Sequence, residues 1–307
     1  MAEALVAEDV RKRYGDAVAV DGVSFSVAEG EVFGLVGPNG AGKTTLVRSL
    51  TGTTPCDGEI RVLGASPPAL DPNRVGLLPQ SFRPADRLTA RELVRYYAGL
   101  YDEPRDPDAV IADVGVTDAA DQWYENLSGG QRRRVCVGAA LVNDPDVLFL
   151  DEPTTGIDPA GRRALWDLFS DLAAGGTSIF LTSHSMGEVE RLADRVGLLR
   201  DGELVAVGDP DALVAEYGGE SRLVVETGGA GADALADGYE SELVDGELVV
   251  YDVAAENIGD VVRALETAGV TFDSFTWTEP DLEDVYLRLT GETLDDFDAD
   301  ARAGGAR

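Results

Sequence analysis

GPNGAGKTT, from Gly37 to Thr45, follows a short apolar run and can hold the phosphates of a nucleotide. Gly37, Gly40 and Gly42 leave backbone N–H groups free to converge on phosphate oxygens, and the helix opening behind them adds its positive end. Pro38, Asn39, Ala41 and Thr45 complete the loop. In this pattern Lys43 reaches the β- and γ-phosphates and Thr44 offers its hydroxyl to Mg²⁺. Asp151 and Glu152 end a second apolar run, VLFL. A carboxylate at the C-terminal edge of a buried strand meets the crevice where α/β folds bind ligands. Asp151 is placed to hold Mg²⁺, and Glu152 to polarise an attacking water. His184, the sole histidine, ends SIFLTSH. If that strand neighbours VLFL in parallel, the imidazole can reach a γ-phosphate. Gln80 follows a further apolar stretch, GLLP, and Tyr14 either stacks on an adenine or packs.

LSGGQ, from Leu127 to Gln131, opens a second helix start. Ser128 is a good N-cap. Gly129 and Gly130 just inside the helix cost roughly 1 kcal/mol each relative to Ala, which makes sense if a ligand must approach bare backbone. The chain's own loop already takes its own phosphates. The natural ligand for the Ser128–Gln131 turn is therefore a nucleotide held by a second copy, and dimerisation follows from the chemistry.

These residues need an α/β frame. ALVAEDVRKRY, VSFSVAEG and EVFGLVG read as strands, with a turn at Asp21–Gly22 between the first two. TTLVRSLTG has helical spacing, giving the strand–loop–helix context a phosphate loop requires. Residues 84–145 are helical in character, with apolar spacing in RELVRYYAGLY, DPDAVIADVGV and GQRRRVCVGAALVN. Val147–Leu150 is apolar throughout, as in a parallel strand buried on both faces. The helix ALWDLFSDLA, the strand SIFLTSH and the hairpin GLLRDGELVAVG, turning at Asp201–Gly202, come next. The pattern restarts after residue 220. Arg222–Glu226 and Glu247–Tyr251 are strand-like, the second entered by an Asp245–Gly246 turn, and TFDSFTW is a further strand. Ile258, Val261, Val262 and Leu265 share one helical face, and Leu282, Val285, Tyr286 and Leu289 another. Residues 221–290 thus read as a small α+β domain holding a mobile loop at 228–238, and 291–307 as a disordered acidic tail.

At 307 residues the chain has room for a large core and a small appended domain. No apolar run approaches the length that crosses a bilayer, and the N-terminus lacks a signal-peptide pattern. Cys56 and Cys136 sit in no CxxC pair, which disfavours a disulfide framework or a zinc site. With 25 Lys+Arg against 57 Asp+Glu the net charge is −32, and the acids are dispersed along the chain. Such a surface repels phosphate backbones, so nucleic acid is not an expected partner. It reads as adaptation to a salt-rich, halophilic cytoplasm, where about 1 M salt shortens screening to roughly 3 Å, the alternative being an acidic but otherwise ordinary cytosolic protein.

GPNGAGKTT, Gln80, LSGGQ, VLFLDEPTTGIDP and His184, in this order and spacing, resemble the ATP-binding subunit of ABC transporters over residues 4–215. The resemblance implies a P-loop NTPase core in 1–220 with an antiparallel β subdomain and a helical subdomain at about 84–145. It makes Tyr14 the adenine-stacking aromatic and Gln80 the glutamine that touches Mg²⁺ and signals to the membrane subunit. Asp158 would speak across the dimer, Glu152 would be the general base and His184 the γ-phosphate sensor. TWTEPDLEDVYLRLTG is similar to the ending LEDVFLxLTG of drug- and antibiotic-export ATPases of the daunorubicin-resistance type. The resemblance thus implies an ATPase that is peripheral on the cytoplasmic face of the membrane. Its partners would be a separately encoded integral-membrane permease and a second ATP-binding subunit, and its cofactors ATP and Mg²⁺. The rivals are a non-transport ATPase of the superfamily, in DNA repair or translation, and a P-loop kinase, which leaves LSGGQ unexplained. A nucleotide-binding regulator without turnover is a third, and Glu152 weighs against it.

Overall fold

Apolar runs with no polar alternation become strands buried on both faces. In the computed structural model, which describes residues 2–227, 239–244 and 246–291, Val32–Val36 and Val147–Asp151 are buried at every position. The described chain divides into two units, Met1–Pro210 and Asp211–Thr293.

In the first unit, β1 (Glu3–Tyr14) and β2 (Ala17–Ala28) form a long antiparallel hairpin. β3 (Val32–Val36) runs into the glycine-rich loop and α1 (Lys43–Leu50), and β4 (Asp57–Val62) returns to pair with β1. Beyond β5 (Val75–Leu78) come α2 (Ala90–Ala98), α3 (Pro107–Asp113) and α4 (Gly129–Leu141), which pack on one another. Each starts where its sequence supplies a cap: Thr89 with Glu92, Asp106 before Pro107, and Ser128 with Gln131. β6 (Val147–Asp151), α5 (Pro159–Ala174), β7 (Ser178–Ser183), α6 (Met186–Leu192), β8 (Arg195–Arg200) and β9 (Glu203–Gly208) complete the unit. The central sheet runs β5-β6-β7-β3-β8-β9, parallel except for the β8–β9 hairpin. The separate three-stranded sheet, β2-β1-β4, is antiparallel.

Phe25 on β2, Phe33 on β3 and Phe180 on β7 stack with ring centroids 4.9–5.7 Å apart and join the two sheets. These rings contribute both area and the offset geometry that aromatic pairs favour. The strand ends bearing the phosphate loop, Asp151 and Ser183 therefore leave one edge of a rigid sheet.

The expected turn at Asp21–Gly22 is corrected. The hairpin turns earlier, after Tyr14, and Asp21–Gly22 lies within β2 as a bulge, where both residues face the single Arg11 between the pairs Val10–Val23 and Lys12–Val20. Gly22 supplies φ +68°, and the Asp21 amide donates to the Gly202 carbonyl at 2.9 Å. Asp-Gly suits a bulge as well as a turn, and sequence alone does not separate them.

The second unit begins at Asp211, ten residues before the expected start at 221, within α7 (Pro210–Leu213) and ahead of the π-helical turn Val214–Gly218. Close packing explains the earlier start: a Cβ on Gly218 would lie 3.1 Å from Pro280, and one on Gly219 would enter the Arg288 guanidinium. β10 (Arg222–Val225), β11 (Ser241–Val244), β12 (Glu247–Tyr251) and β13 (Phe275–Thr278) make an antiparallel sheet in the order β11-β12-β10-β13. β11 was not expected from the sequence pattern, and TFDSFTW is strand only from Phe275. α8 (Ile258–Thr267) buries Val261 and Leu265 in a cluster with Leu223, Val225, Leu248 and Val250. α9 (Leu282–Thr290) carries a capping box at Asp281 and Asp284, and buried Asp284 accepts from Arg222 Nη1 at 2.6 Å. The loop expected at 228–238, Asp245 of the expected turn, and the tail beyond Gly291 lie outside the described residues.

Candidate active site

The phosphate loop leaves β3 and turns into α1 through Gly42, whose φ is +108°. A Cβ there would sit 2.2 Å from the Ala19 carbonyl oxygen, so backbone angle and space both demand glycine. Ala19, Asn39, Gly40, Gly42, Lys43, Thr44, Thr45, Gln80 and Glu152 line a cleft of about 240 Å³. Lys43 is buried, and its ammonium donates to the carbonyls of Gly37 at 2.6 Å and Pro38 at 3.0 Å.

Glu152 follows β6 in the left-handed region, φ +50°, an uncommon conformation for a residue with a Cβ. Its amide is held by the carbonyl and hydroxyl of Thr182 on the neighbouring β7. One carboxylate oxygen lies 3.8 Å from Lys43 Nζ. The other accepts from the Thr155 hydroxyl at 3.2 Å and lies 3.5 Å from His184 Nδ1. Hydrogen bonding to His184 holds the Glu152 carboxyl down at about 2; Lys43 and Thr155 lower it too, and burial opposes them. Glu152 is therefore an anion at neutral pH. His184 itself is half exposed, one residue past the end of β7.

Thr44, Gln80 and Asp151 line a second, contiguous cavity of about 160 Å³. The Thr44 hydroxyl lies 3.5 Å from Gln80 Oε1, and buried Asp151 accepts from the Thr182 hydroxyl at 2.6 Å. A hydroxyl, an amide oxygen and a carboxylate are hard donors, and Mg²⁺ needs few of them because it keeps waters and phosphate oxygens. The donor set fits that ion.

The remaining expected residues stand apart from the cleft. Tyr14 ends β1 half exposed, with Lys12 Nζ 5.0 Å above its ring. Ser128 and Gln131 bond each other's backbone amides across the first turn of α4. Asp158 caps α5 through the Gly161 amide and lies against Gly130. A Cβ on Gly129 would find nothing nearer than 3.8 Å. Crowding within the chain therefore does not explain why the helix opens on glycine there.

Sequence reasoning missed three supports. Thr182 hydrogen-bonds both Asp151 and the Glu152 amide. Glu188, buried on α6, accepts from Thr154, Ser183 and Trp166, and so ties the segment after Glu152 to the one before His184. Arg133 reaches across from α4 to the backbone around Gln80 and Glu152. Its helical register with Cys136, Val137 and Ala140 was the available signal, since those positions are buried.

The ABC transporter family model matches residues 20–155. The chain is 40% identical over 301 residues to the Nod factor export ATP-binding protein I of Rhizobium meliloti, covering 94% of this chain and 88% of that protein. It is 37% identical over 307 residues to the daunorubicin resistance ATP-binding protein DrrA3 of Streptomyces coeruleorubidus, covering 94% and 96%. With the linearmycin resistance ATP-binding protein LnrL of Bacillus subtilis it shares 35% over 311 residues, covering 95% and 100%. A solved ATP-binding subunit of an ABC transporter superposes with a TM-score of 0.64 at 24% identity, over 70% of this chain and 93% of that one. A dimeric bacterial ABC transporter cassette gives 0.61 at 24%, over 67% and 98%. With the phosphate loop, the Asp151–Glu152 strand end and the LSGGQ helix start on one such fold, the chain belongs to the ATP-binding proteins of ABC transporters.

Proposed function

We propose that this chain hydrolyses ATP at composite sites formed by two copies, and that the cycle drives an exporter whose membrane-spanning permease is a separate polypeptide. The observation that carries the hydrolytic reading is Glu152, an anion held between Lys43 and His184 beside the phosphate loop. Lys43 and the loop amides bind the β- and γ-phosphates, and His184 contacts the γ-phosphate from the adjoining strand end. Thr44, Gln80 and Asp151 would hold Mg²⁺, directly or through water, which neutralises phosphate charge. Glu152 orients the water that attacks the γ-phosphorus and accepts its proton, while the bridging P–O bond to the β-phosphate breaks and ADP leaves with that oxygen. Tyr14 stacks on the adenine.

The Ser128–Gln131 turn of one copy closes over the nucleotide held by the other, and Asp158 faces the partner across the same seam. The bare backbone at Gly129 supports this, since the space a Cβ would take is left open. A mixing experiment tests it. Lys43→Ala and Gly129→Glu should each be inactive alone. Mixed, they form some dimers in which one site keeps both an intact Lys43 and an intact turn, and turnover should reappear. A mixture no more active than its parents, with mixed dimers demonstrated, would make the site a single-chain one.

Export and drug-like or lipid-like cargo are supported by relatives named for Nod factor export and for daunorubicin and linearmycin resistance, which match over both units. No helix among the described residues is long and apolar enough to cross a membrane, which fits a peripheral subunit at the cytoplasmic face. Phe82, two residues beyond Gln80, packs its ring against Tyr97 of α2, which in turn meets Tyr96, and Tyr96 is 59% exposed. This is the surface on which the permease would dock.

The net charge of −32 supports a salt-adapted surface. Raising KCl from about 0.1 to 1 M cuts the screening length from roughly 10 to 3 Å, so Tm should climb as self-repulsion is screened. A Tm that stays flat or drops across that range would remove the salt reading.

A further inference from the structure

Arg133 lies one helical turn beyond Gly129 on α4, and its hydrogen bonds go to backbone carbonyls. Its Nη2 donates to the carbonyls of Asp151 at 2.7 Å and Glu152 at 2.8 Å, and its Nε to that of Pro153 at 3.1 Å. Nη1 reaches the carbonyls of Pro79 at 3.3 Å and Gln80 at 3.5 Å. One planar fork thus spans the ends of the neighbouring parallel strands β5 and β6. Those ends bear Gln80 on one side and Asp151 and Glu152 on the other. Glu152 sits at φ +50°, a backbone state that surrounding bonds must enforce.

We propose that Arg133 is a positioning residue that fixes the Glu152 and Gln80 backbones to the helix bearing the LSGGQ turn, so that movement of this helix sets the placement of the catalytic carboxylate. The inference rests on the hydrolytic reading of the site. Arg133 does not line the cleft and touches no reacting atom. A guanidinium suits the task because its donors are fixed in a plane, whereas a Lys ammonium is a point donor that cannot span both strand ends. Closure of α4 on a partner's nucleotide would pass through this fork to the chain's own Glu152 and Gln80. Occupancy of one site would thereby raise turnover at the other without being required for it.

The test is steady-state ATPase kinetics of the full-length chain carrying Arg133→Lys or Arg133→Ala, with Arg134→Lys as control. Arg134 bonds the Val114 and Gly115 carbonyls within the helical region and should not alter turnover. For Arg133→Lys, kcat should fall about tenfold, as expected when a catalytic group is displaced by a fraction of an ångström, while KM for ATP stays within about twofold. Methylguanidinium in the assay should restore part of the kcat lost in Arg133→Ala and none of that lost in a Glu152 variant. A kcat in Arg133→Lys equal to that of the parent would overturn the proposal, as would a fall that tracks only a lower Tm and is not rescued in Arg133→Ala. A parent protein without ATPase activity would instead overturn the hydrolytic reading itself, so the two failures are distinguishable.

Discussion

Glu152→Gln should lower ATP turnover by roughly 10²–10⁴-fold, the usual contribution of a positioned general base, while ATP binding survives. The amide keeps the shape of the side chain and can still accept from Thr155, but it cannot take a proton from water. It also removes an anion 3.8 Å from Lys43 Nζ, so the ammonium meets the γ-phosphate without a competing carboxylate. Bound ATP should therefore persist, and an ATP-loaded dimer should accumulate in size-exclusion chromatography with MgATP. Undiminished hydrolysis would remove Glu152 from its role, and a variant that stays monomeric at saturating MgATP would count against the composite site. The pH dependence carries the same signature. The folded Glu152 carboxyl, at about 2, lies below its ordinary value of 4.5. Its contribution to stability is therefore complete above about pH 4.5 and is lost as pH falls through the folded value. Acid melts of Glu152→Gln should lack that component, and parallel melting curves across this range would show that the pairing with His184 does not stabilise the fold.

How much of this site is legible in the sequence depends on how local each determinant is. The phosphate loop is legible because its glycines, lysine and threonine act within one strand–turn–helix unit and need nothing distant. Asp151 and Glu152 are legible because an unbroken apolar run marks a strand buried on both faces, and a charge at its end must surface at the sheet edge. His184 needed one further assumption, that its strand neighbours VLFL, and the β6–β7 pairing supplies that contact. Arg133 and Thr182 are hidden because their partners lie 18 to 54 and 30 to 31 residues away in sequence, and Glu188 because two of its three partners, Thr154 and Trp166, lie 34 and 22 away. No spacing rule encodes such bonds. The bulge at Asp21–Gly22 was missed for the opposite reason, since the same dipeptide satisfies two local geometries and the pairing partner decides between them.

The second unit shows a similar limit. Helical periodicity in 258–265 and 282–289 identified both long helices, because each buries one face. The edge strand β11 escaped notice because Leu243 and Val244 are both substantially exposed, and an edge with no buried alternation carries no period-two signal.

Lys43→Ala should weaken ATP binding by roughly 10- to 100-fold, since a charge-assisted hydrogen bond is worth about 1.5–3 kcal/mol and each 1.4 kcal/mol is tenfold. The structure adds a reason beyond the missing charge. The ammonium is already oriented by the Gly37 and Pro38 carbonyls, so little side-chain freedom remains to be lost when phosphate arrives. Removing it also deprives Glu152 of a neighbouring cation, so the carboxyl should titrate higher, towards the ordinary carboxylate range. The acid-sensitive stability carried by Glu152 should shrink in the same variant. Isothermal titration with ATP, alongside melts at pH 7 and pH 3, separates the two effects. Lowered affinity with a diminished acid dependence places Lys43 on the phosphates and on Glu152 together. Unchanged affinity would mean that the ammonium only braces the Gly37 and Pro38 carbonyls, and the loop would then bind phosphate through its amides and the α1 terminus alone.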